Sequence, residues 1–237
     1  MIGGLFPDLV SGRVRNRDLY YRSYVQTYLE RDIRELVHIT DESRFCDFLR
    51  VAAGRTGQLL NLSNMARDVG ISSVTAKAWL SLLETSGLVY LMRPYSRNVT
   101  ARVVKTPKLY FLDTGLACYL AGWKDEDALL TGSMAGAMLE TFVVSEIIKR
   151  YWNCGEEPQL WFYRDNAGTE IDILLEQDGV LHPIEVKKTA SPSVADCRAF
   201  ARVIDKGLAF GCGAVACFAE ESRPLADSVM IIPIGGL

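Results

Sequence analysis

Histidine, paired cysteines and long apolar segments are all scarce in this sequence of 237 residues. Only His38 and His182 occur, and the six cysteines are scattered without a Cys-x-x-Cys pair, which argues against a zinc site and against a Ser-His-Asp triad. We therefore interpret the cysteines as buried apolar thiols. The motif G-x-x-x-x-G-K-S/T is also missing, so ATP binding through a P-loop is not expected from this chain alone.

Nothing in the sequence predicts a membrane or secreted protein. No apolar run approaches the ~18–20 residues that a membrane-spanning helix needs. The N-terminus, from Met1 to Asp8, has no basic region followed by a long apolar stretch, so it does not predict a secretory signal. The expected location is the cytoplasm.

Neither sign of charge is in large excess, since the chain has 26 basic and 29 acidic residues and a net charge of -3. A uniformly basic nucleic-acid coat protein is excluded, because phosphate neutralisation needs a local excess of Lys and Arg. Any nucleic-acid contact must therefore use a local patch. The 49% of hydrophobic residues suffice for a core, and the length fits one large or two small domains.

The N-terminal half has helical periodicity. Apolar residues recur at spacings of three and four from Arg17 to about Thr40, which predicts an amphipathic helix, and we assign residues 1–39 to an N-terminal helical linker. A second helix is predicted from Glu42 to Ala53.

Residues 40–131 are predicted to form a winged-helix domain. A short helix ends at Gly70, and Ser72 or Ser73 caps the next helix, which is the spacing of a helix-turn-helix. Strand candidates at 88–92 and 109–112 follow and indicate a wing. The region from Pro107 to the Gly-rich stretch at 132–136 contains an intermediate linker.

The presumed wing carries five cations and no acid, and the predicted second helix of the helix-turn-helix adds Lys77. Such clustering is typical of a DNA-binding surface. The alternatives are a wing that packs only against protein and a loop that is merely solvated. The cations of the wing are Arg93, Arg97, Arg102, Lys105 and Lys108.

Residues 132–237 form the predicted second domain, with the order α-β-β-β-α-β-β. This order predicts a compact α/β layer with a mixed sheet. The predicted elements are a helix at 139–151, strands at 160–163, 170–177 and 180–187, a helix from the N-cap Ser193 to Gly207, and strands at 214–218 and 229–232.

Asp178-Gly179 between two β-rich runs favours a two-residue hairpin turn. Counting outward from that turn places Asp172 opposite Glu185 and Glu170 opposite Lys187. Residues directly opposite in an antiparallel pair project from the same face. One face therefore carries three acids and one lysine.

Two facing carboxylates repel each other unless a cation lies between them. Oxygen ligands without His or thiolate favour Mg²⁺ or Mn²⁺. Lys187 could then orient a water molecule or neutralise a phosphate. The alternative is a solvated hairpin face with a cross-strand pair between Glu170 and Lys187.

Glu140, Asp172 and Glu185-Val186-Lys187, in this order of elements, resemble the PD-(D/E)xK nuclease superfamily. The resemblance implies that Glu140, Asp172 and Glu185 hold the metal and that Lys187 is the catalytic lysine. Ile171 stands where the motif has proline. Glu146, on the same helix, is an alternative for the helix glutamate, although its position beside Lys149 also suits a surface charge.

The chain as a whole resembles the domain of unknown function that follows the ATPase domain in many bacterial and archaeal AAA-type ATPases. The resemblance implies a partner P-loop ATPase domain, so the chain is either the C-terminal portion of such a protein or an independent gene product. The matching stretches are Tyr24 to Asp32, Pro94 to Asn98, Lys105 to Leu116, Leu139 to Glu146 and Tyr163 to Asp165.

These patterns predict an α/β (α+β) chain, with a helical winged-helix part followed by a restriction-endonuclease-like sandwich around a mixed sheet. The first functional hypothesis is DNA binding by the winged helix with Mg²⁺-dependent phosphodiester cleavage at Glu140, Asp172, Glu185 and Lys187. The second is a non-catalytic regulatory or binding domain with a nuclease-like fold.

Overall fold

A computed structural model describes residues 2–28, 42–96, 105–205 and 207–236. The chain divides into two compact units, Met1–Tyr90 with Leu109–Met134, and Leu91–Lys108 with Ala135–Leu237. Segment 91–108, which the sequence pattern assigns to the winged-helix domain, belongs to the second unit.

The first unit is mainly helical. Its helices are α1 (Pro7–Val10), α2 (Arg17–Tyr28), α3 (Glu42–Ala53), α4 (Leu62–Val69), α5 (Ser73–Thr85), α6 (Thr114–Leu120) and α7 (Glu126–Thr131). Its strands are β1 (Gln58–Leu59), the start of β2 (Val89–Pro94) and most of β3 (Lys108–Phe111), with β3 between β1 and β2.

The predicted helix-turn-helix is confirmed in helices α4 and α5. Asn61 caps α4 by accepting a hydrogen bond from the Asn64 N–H (3.0 Å), and Gly70 ends it in the left-handed conformation with φ 73°. Ser72 caps α5 by accepting from the Thr75 N–H at 3.0 Å. With α3, β1, β2 and β3 around them, these helices have the element order of a winged helix.

A cluster of aromatic side chains forms the centre of this helical core. Trp79 of α5 meets Phe45 and Phe48 of α3 edge-on, at ring centroid distances of 5.1 and 5.6 Å. The predicted helix from Arg17 is confirmed as far as Tyr28, and the rest of that prediction, residues 29–40, lies outside the described residues.

Helices α6 and α7 occupy the region after β3 for which the sequence predicts a linker. Each begins at an aspartate whose carboxylate accepts a backbone N–H of the first turn: Asp113 from Leu116 at 2.6 Å and Asp125 from Ala128 at 2.8 Å. Both helices are short, so apolar periodicity alone does not predict them, whereas the two capping aspartates were a usable signal.

The second unit contains the mixed α/β layer. Its elements after segment 91–108 are α8 (Ala135–Asn153), β4 (Gln159–Arg164), β5 (Glu170–Gln177), β6 (Val180–Lys187), a 3-10 turn (Val194–Cys197), α9 (Arg198–Ile204), β7 (Gly213–Cys217), β8 (Arg223–Ala226), β9 (Val229–Pro233) and a last 3-10 turn (Ile234–Gly236).

The strand order in this unit is β2-β4-β5-β6-β7-β9-β8. The pairs β4–β5, β5–β6 and β8–β9 are antiparallel, whereas β2–β4, β6–β7 and β7–β9 are parallel. The predicted α-β-β-β-α-β-β order and mixed sheet are thus confirmed, with β8 inserted between the last two predicted strands. Strand β8 is an addition to the prediction, because the run Arg223–Ala226 is short and contains Pro224.

Helices cover the sheet on both faces. Val143 and Ile147 of α8 line a common cavity with Leu175 and Ile184 of the sheet. On the other side, Phe200 and Val203 of α9 pack in one buried cluster, which also contains the sheet residues Leu174, Leu181 and Val215. Of the charged residues at the open end of the β5–β6 hairpin, Glu185 is buried, whereas Asp172 and Lys187 are partly exposed.

Among the described residues, no helix is both long and apolar enough to cross a membrane.

The cysteines differ from one another in their surroundings. All six are free, but only Cys118, Cys197 and Cys217 are buried, while Cys154 and Cys212 are exposed. The interpretation of all six as buried thiols is therefore wrong.

Candidate functional site

The β5–β6 hairpin has the predicted register. Its pairs run from Gln177–Val180 at the turn to Ile173–Ile184. Asp178 and Gly179 both have positive φ, 52° and 77°, as a two-residue type I′ turn requires. Asp172 and Glu185 are the next residues along the two strands.

Asp172, Glu185 and Lys187 form a compact charged group, which we call the hairpin cluster. The Lys187 Nζ lies 2.5 Å from Glu185 Oε2 and 3.8 Å from Asp172 Oδ2. The backbone N–H of Val186 donates to Asp172 Oδ2 at 2.9 Å, which orients that carboxylate. Both carboxylates thus share one ammonium group.

Burial makes the electrostatics of the hairpin cluster unusual. The Glu185 side chain is 5% exposed, and burial together with the Asp172 charge raises the pKa of Glu185 to about 8 despite Lys187. Burial lowers the pKa of Lys187, but Asp172 and Glu185 outweigh this effect and the pKa is raised. One ammonium does not neutralise two carboxylates, so the cluster favours an additional positive charge, either a proton on Glu185 or a cation in its place.

Asp196 is a neighbour of the hairpin cluster that sequence reasoning missed. Its charge also raises the pKa of Lys187. The Asp196 carboxylate accepts from the Ser193 N–H at 2.8 Å and completes a capping box at the 3-10 turn. The Ser-x-x-Asp spacing was the available signal for this contact.

Glu140 takes part in a different group, which we call the Lys108 network. The Lys108 Nζ lies 2.9 Å from Glu140 Oε1 and 2.8 Å from Glu170 Oε1, and 5.3 Å from the centre of the Phe162 ring. Arg164 lies 3.8 Å from the other oxygen of Glu170. The alternative interpretation of the hairpin face predicted a pair between Glu170 and Lys187. In the structure, the ion pairs of Glu170 are with Lys108 and Arg164 instead.

Lys108 requires a correction, because the sequence pattern assigns it to the DNA-binding patch. It is 4% exposed and its charge is balanced inside the second unit. Burial lowers its pKa, but Glu140 and Glu170 raise it by more, so the ammonium stays charged. A lysine held in this way cannot reach a phosphate backbone.

The other predicted DNA-binding residues have mixed surroundings. Lys77 on α5 and Lys105 are exposed. Arg93 is partly buried on β2, opposite Trp161 of β4. Arg97 and Arg102 lie outside the described residues.

The alternative helix glutamate, Glu146, has a partner on its own helix. Its carboxylate lies 2.9 Å from the Lys149 Nζ, one turn along α8. This ion pair with a residue three positions along the helix agrees with the interpretation of Glu146 as a charge beside Lys149.

The hairpin cluster offers two ligands to a divalent cation. Among residues 2–28, 42–96, 105–205 and 207–236, no group of three or more His, Cys, Asp or Glu side chains is arranged to hold a metal ion. Asp172 and Glu185 nevertheless provide hard oxygen donors with an unbalanced charge. This pair fits Mg²⁺ or Mn²⁺, with other positions left to water or substrate.

The known proteins and families to which the chain is similar are themselves of unknown function. A family model described as a domain of unknown function, DUF8612, matches residues 1–127, and another, DUF4143, matches residues 135–237. Uncharacterized proteins of Mycobacterium tuberculosis (Rv2008c) and Mycobacterium bovis (Mb2031c) are each 28% identical over 231 residues, or 98% of this chain and 51% of the relative. The chain spans about half the length of these curated relatives.

Proposed function

This chain belongs to the family of the domain of unknown function DUF8612, and we propose that it binds DNA and cleaves phosphodiester bonds with Mg²⁺ or Mn²⁺ at the hairpin cluster. In this proposal the winged helix of the first unit holds DNA, and Asp172, Glu185 and Lys187 of the second unit form the active site. The order of elements and the resemblance to PD-(D/E)xK nucleases support the assignment.

The observation that carries the proposal is the burial of Glu185 beside a second, partly exposed carboxylate, Asp172, with a single lysine between them. A buried ion pair needs its charges matched and hydrogen-bonded, and a third charge is unfavourable. Glu185 is nearly inaccessible yet lies beside Asp172. A purely structural hairpin would be more stable with an apolar or amide side chain at one of these positions.

The side chains of the hairpin cluster have distinct roles in the proposed reaction. A bound divalent cation supplies charge stabilisation at the phosphate. Asp172, oriented by the Val186 N–H, and Glu185 hold that cation. Lys187, whose ammonium lies beside both carboxylates, neutralises a phosphate oxygen or orients the attacking water.

We also propose that the chain works with a P-loop ATPase domain. The resemblance to the segment that follows AAA-type ATPase domains supports this partner. The length of the curated relatives also supports this partner. Each of them contains, beyond the part that matches this chain, about as many residues again.

A second candidate function is a non-catalytic regulatory or binding domain. It is favoured by the short contact between Lys187 and Glu185, which already partly neutralises the hairpin cluster. In that case the cluster is a structural ion pair, and DNA binding or protein binding by the winged helix is the whole activity.

The deciding experiment incubates wild type and Asp172→Asn with labelled single-stranded, duplex and branched DNA in Mg²⁺, Mn²⁺ or EDTA. Glu176→Gln is the matched control, because it makes the same change of charge on the same strand. We expect cleavage by wild type and Glu176→Gln only when metal is present. Equal cleavage by Asp172→Asn would contradict the site, and no cleavage by wild type on any substrate would favour the second function.

A further inference from the structure

The Lys108 network contains one buried cation and two glutamates within the second unit. Lys108 is nearly inaccessible, and its Nζ is 2.9 Å from an oxygen of Glu140 and 2.8 Å from an oxygen of Glu170. Glu140 comes from α8 and Glu170 from the first position of β5. The Lys108 ammonium therefore joins α8 to β5. Its partner on α8, Glu140, is the residue that the resemblance to PD-(D/E)xK nucleases implies to be a metal ligand.

We propose that the Lys108 ammonium holds Glu140 in an ion pair and so keeps it out of the metal site. Glu140 then positions α8 against β5, and the metal is held by Asp172 and Glu185. This inference rests on the proposed function, because it names the ligands of the same site. It also corrects the role that the resemblance gives to Glu140.

Burial and contacts of the Lys108 network support the assignment. The Glu140 side chain is 12% exposed and the Lys108 side chain 5%, so water does not easily separate them. The Phe162 ring lies 5.3 Å from the Lys108 Nζ and adds a cation–π contact. Arg164 faces the second oxygen of Glu170, so two cations and two anions are matched in this network.

The hairpin cluster, by contrast, has two carboxylates and one ammonium. The Lys108 network therefore has no unbalanced charge to attract a metal, whereas the hairpin cluster does. Removal of the Lys108 ammonium should abolish this difference, because two carboxylates and one cation, Arg164, would then remain in the network. Glu140 and Glu170 would then be two neighbouring carboxylates without that cation, and carboxylates are the oxygen ligands that Mn²⁺ binds.

Mn²⁺ binding by calorimetry tests the inference on the full chain. Glu140→Gln should change the affinity by less than about fivefold, because Glu140 is held by Lys108 and in this proposal is not a ligand of the metal. Asp172→Asn should weaken binding by about tenfold or more, because it replaces a charged ligand with a neutral amide, and changes even outside the ligand shell cost about 10–100-fold. Equal losses in the two variants would overturn the inference and return Glu140 to the metal site.

Lys108→Met provides an independent arm, with Lys108→Gln as the substitute if the methionine variant does not fold. The variant should bind one additional Mn²⁺, and the double variant with Glu140→Gln should lose that additional site. No gain of binding would overturn the inference. If the wild type itself binds no Mn²⁺, the proposed function fails, while a gain in Lys108→Met still supports the role of Lys108.

Discussion

Glu185→Gln gives the sharpest prediction, because Glu185 is buried beside another carboxylate. Its pKa is raised from 4.5 to about 8, first by burial and then by Asp172. The folded chain therefore retains a proton that the unfolded chain has lost between about pH 4.5 and pH 8. Because the folded state binds more protons in this window, this group lowers the stability of the fold as the pH rises through it.

The size of the effect follows from the same two values. Each pH unit between them corresponds to about 1.4 kcal/mol, so ionised Glu185 costs the fold about 5 kcal/mol once the pH exceeds about 8. Glutamine has the same shape and does not ionise. We expect wild type and Glu185→Gln to differ by about 1 kcal/mol or less at about pH 5, and the variant to be the more stable by several kcal/mol at about pH 9.

Urea unfolding followed by circular dichroism, in EDTA and at several pH values, measures this difference. Glu176→Gln is the control, since it makes the same change of charge on the same strand. Glu185→Gln also removes the charge that helps to raise the pKa of Lys187, so the difference reports Glu185 together with its coupling to Asp172 and Lys187. Parallel pH profiles for wild type and Glu185→Gln would refute the argument.

Three further outcomes are expected. Asp113→Ala should destabilise the first unit by about 3 kcal/mol in thermal unfolding, because its carboxylate accepts from Tyr21 Oη and from the N–H groups of Leu5 and Leu116. Tyr21→Phe removes one of these bonds and should cost less, so an equal cost would contradict this reasoning. Trp79→Ala should cost about 3–5 kcal/mol in urea unfolding by leaving a cavity beside Phe45 and Phe48. Val74→Ala is its control, because that side chain is 80% exposed and the change should alter stability by no more than about 0.5 kcal/mol; similar losses in both variants would refute the cavity argument. Lys77→Ala with Lys105→Ala should weaken DNA binding and reduce the slope of log affinity against log salt by about 0.9 for each phosphate that the chain no longer neutralises. Lys124→Ala, which removes one exposed cation, is the control for each of the two single variants, and an unchanged slope in the double variant would contradict DNA contact by either lysine.

The β5–β6 hairpin could be predicted from sequence because its determinants are local. An Asp-Gly turn restricts the loop to two residues, and strand alternation then sets every pair out to Ile173–Ile184. The helix-turn-helix is similar, since Asn61, Gly70 and Ser72 mark helix ends within a few residues of each other. Local rules of this kind correctly placed Asp172 beside Glu185.

The role of Lys108 could not be found in the same way. It lies in a stretch without acids, so the sequence indicated an exposed patch, whereas its partners Glu140 and Glu170 are far along the chain, the first of them 32 positions on. The pairing depends on how α8 and β5 pack, which no local pattern specifies. For the same reason, the sequence could not predict that Glu140 pairs with Lys108.

The central claim is that Asp172 and Glu185 together hold a divalent cation. Electron paramagnetic resonance measures it directly, because bound Mn²⁺ loses the sharp signal of the free ion. We predict that wild type and Glu176→Gln reduce the free Mn²⁺ signal in a saturable way, and that Asp172→Asn and Glu185→Gln do not. An undiminished signal with wild type, or equal binding by all four proteins, would contradict the claim.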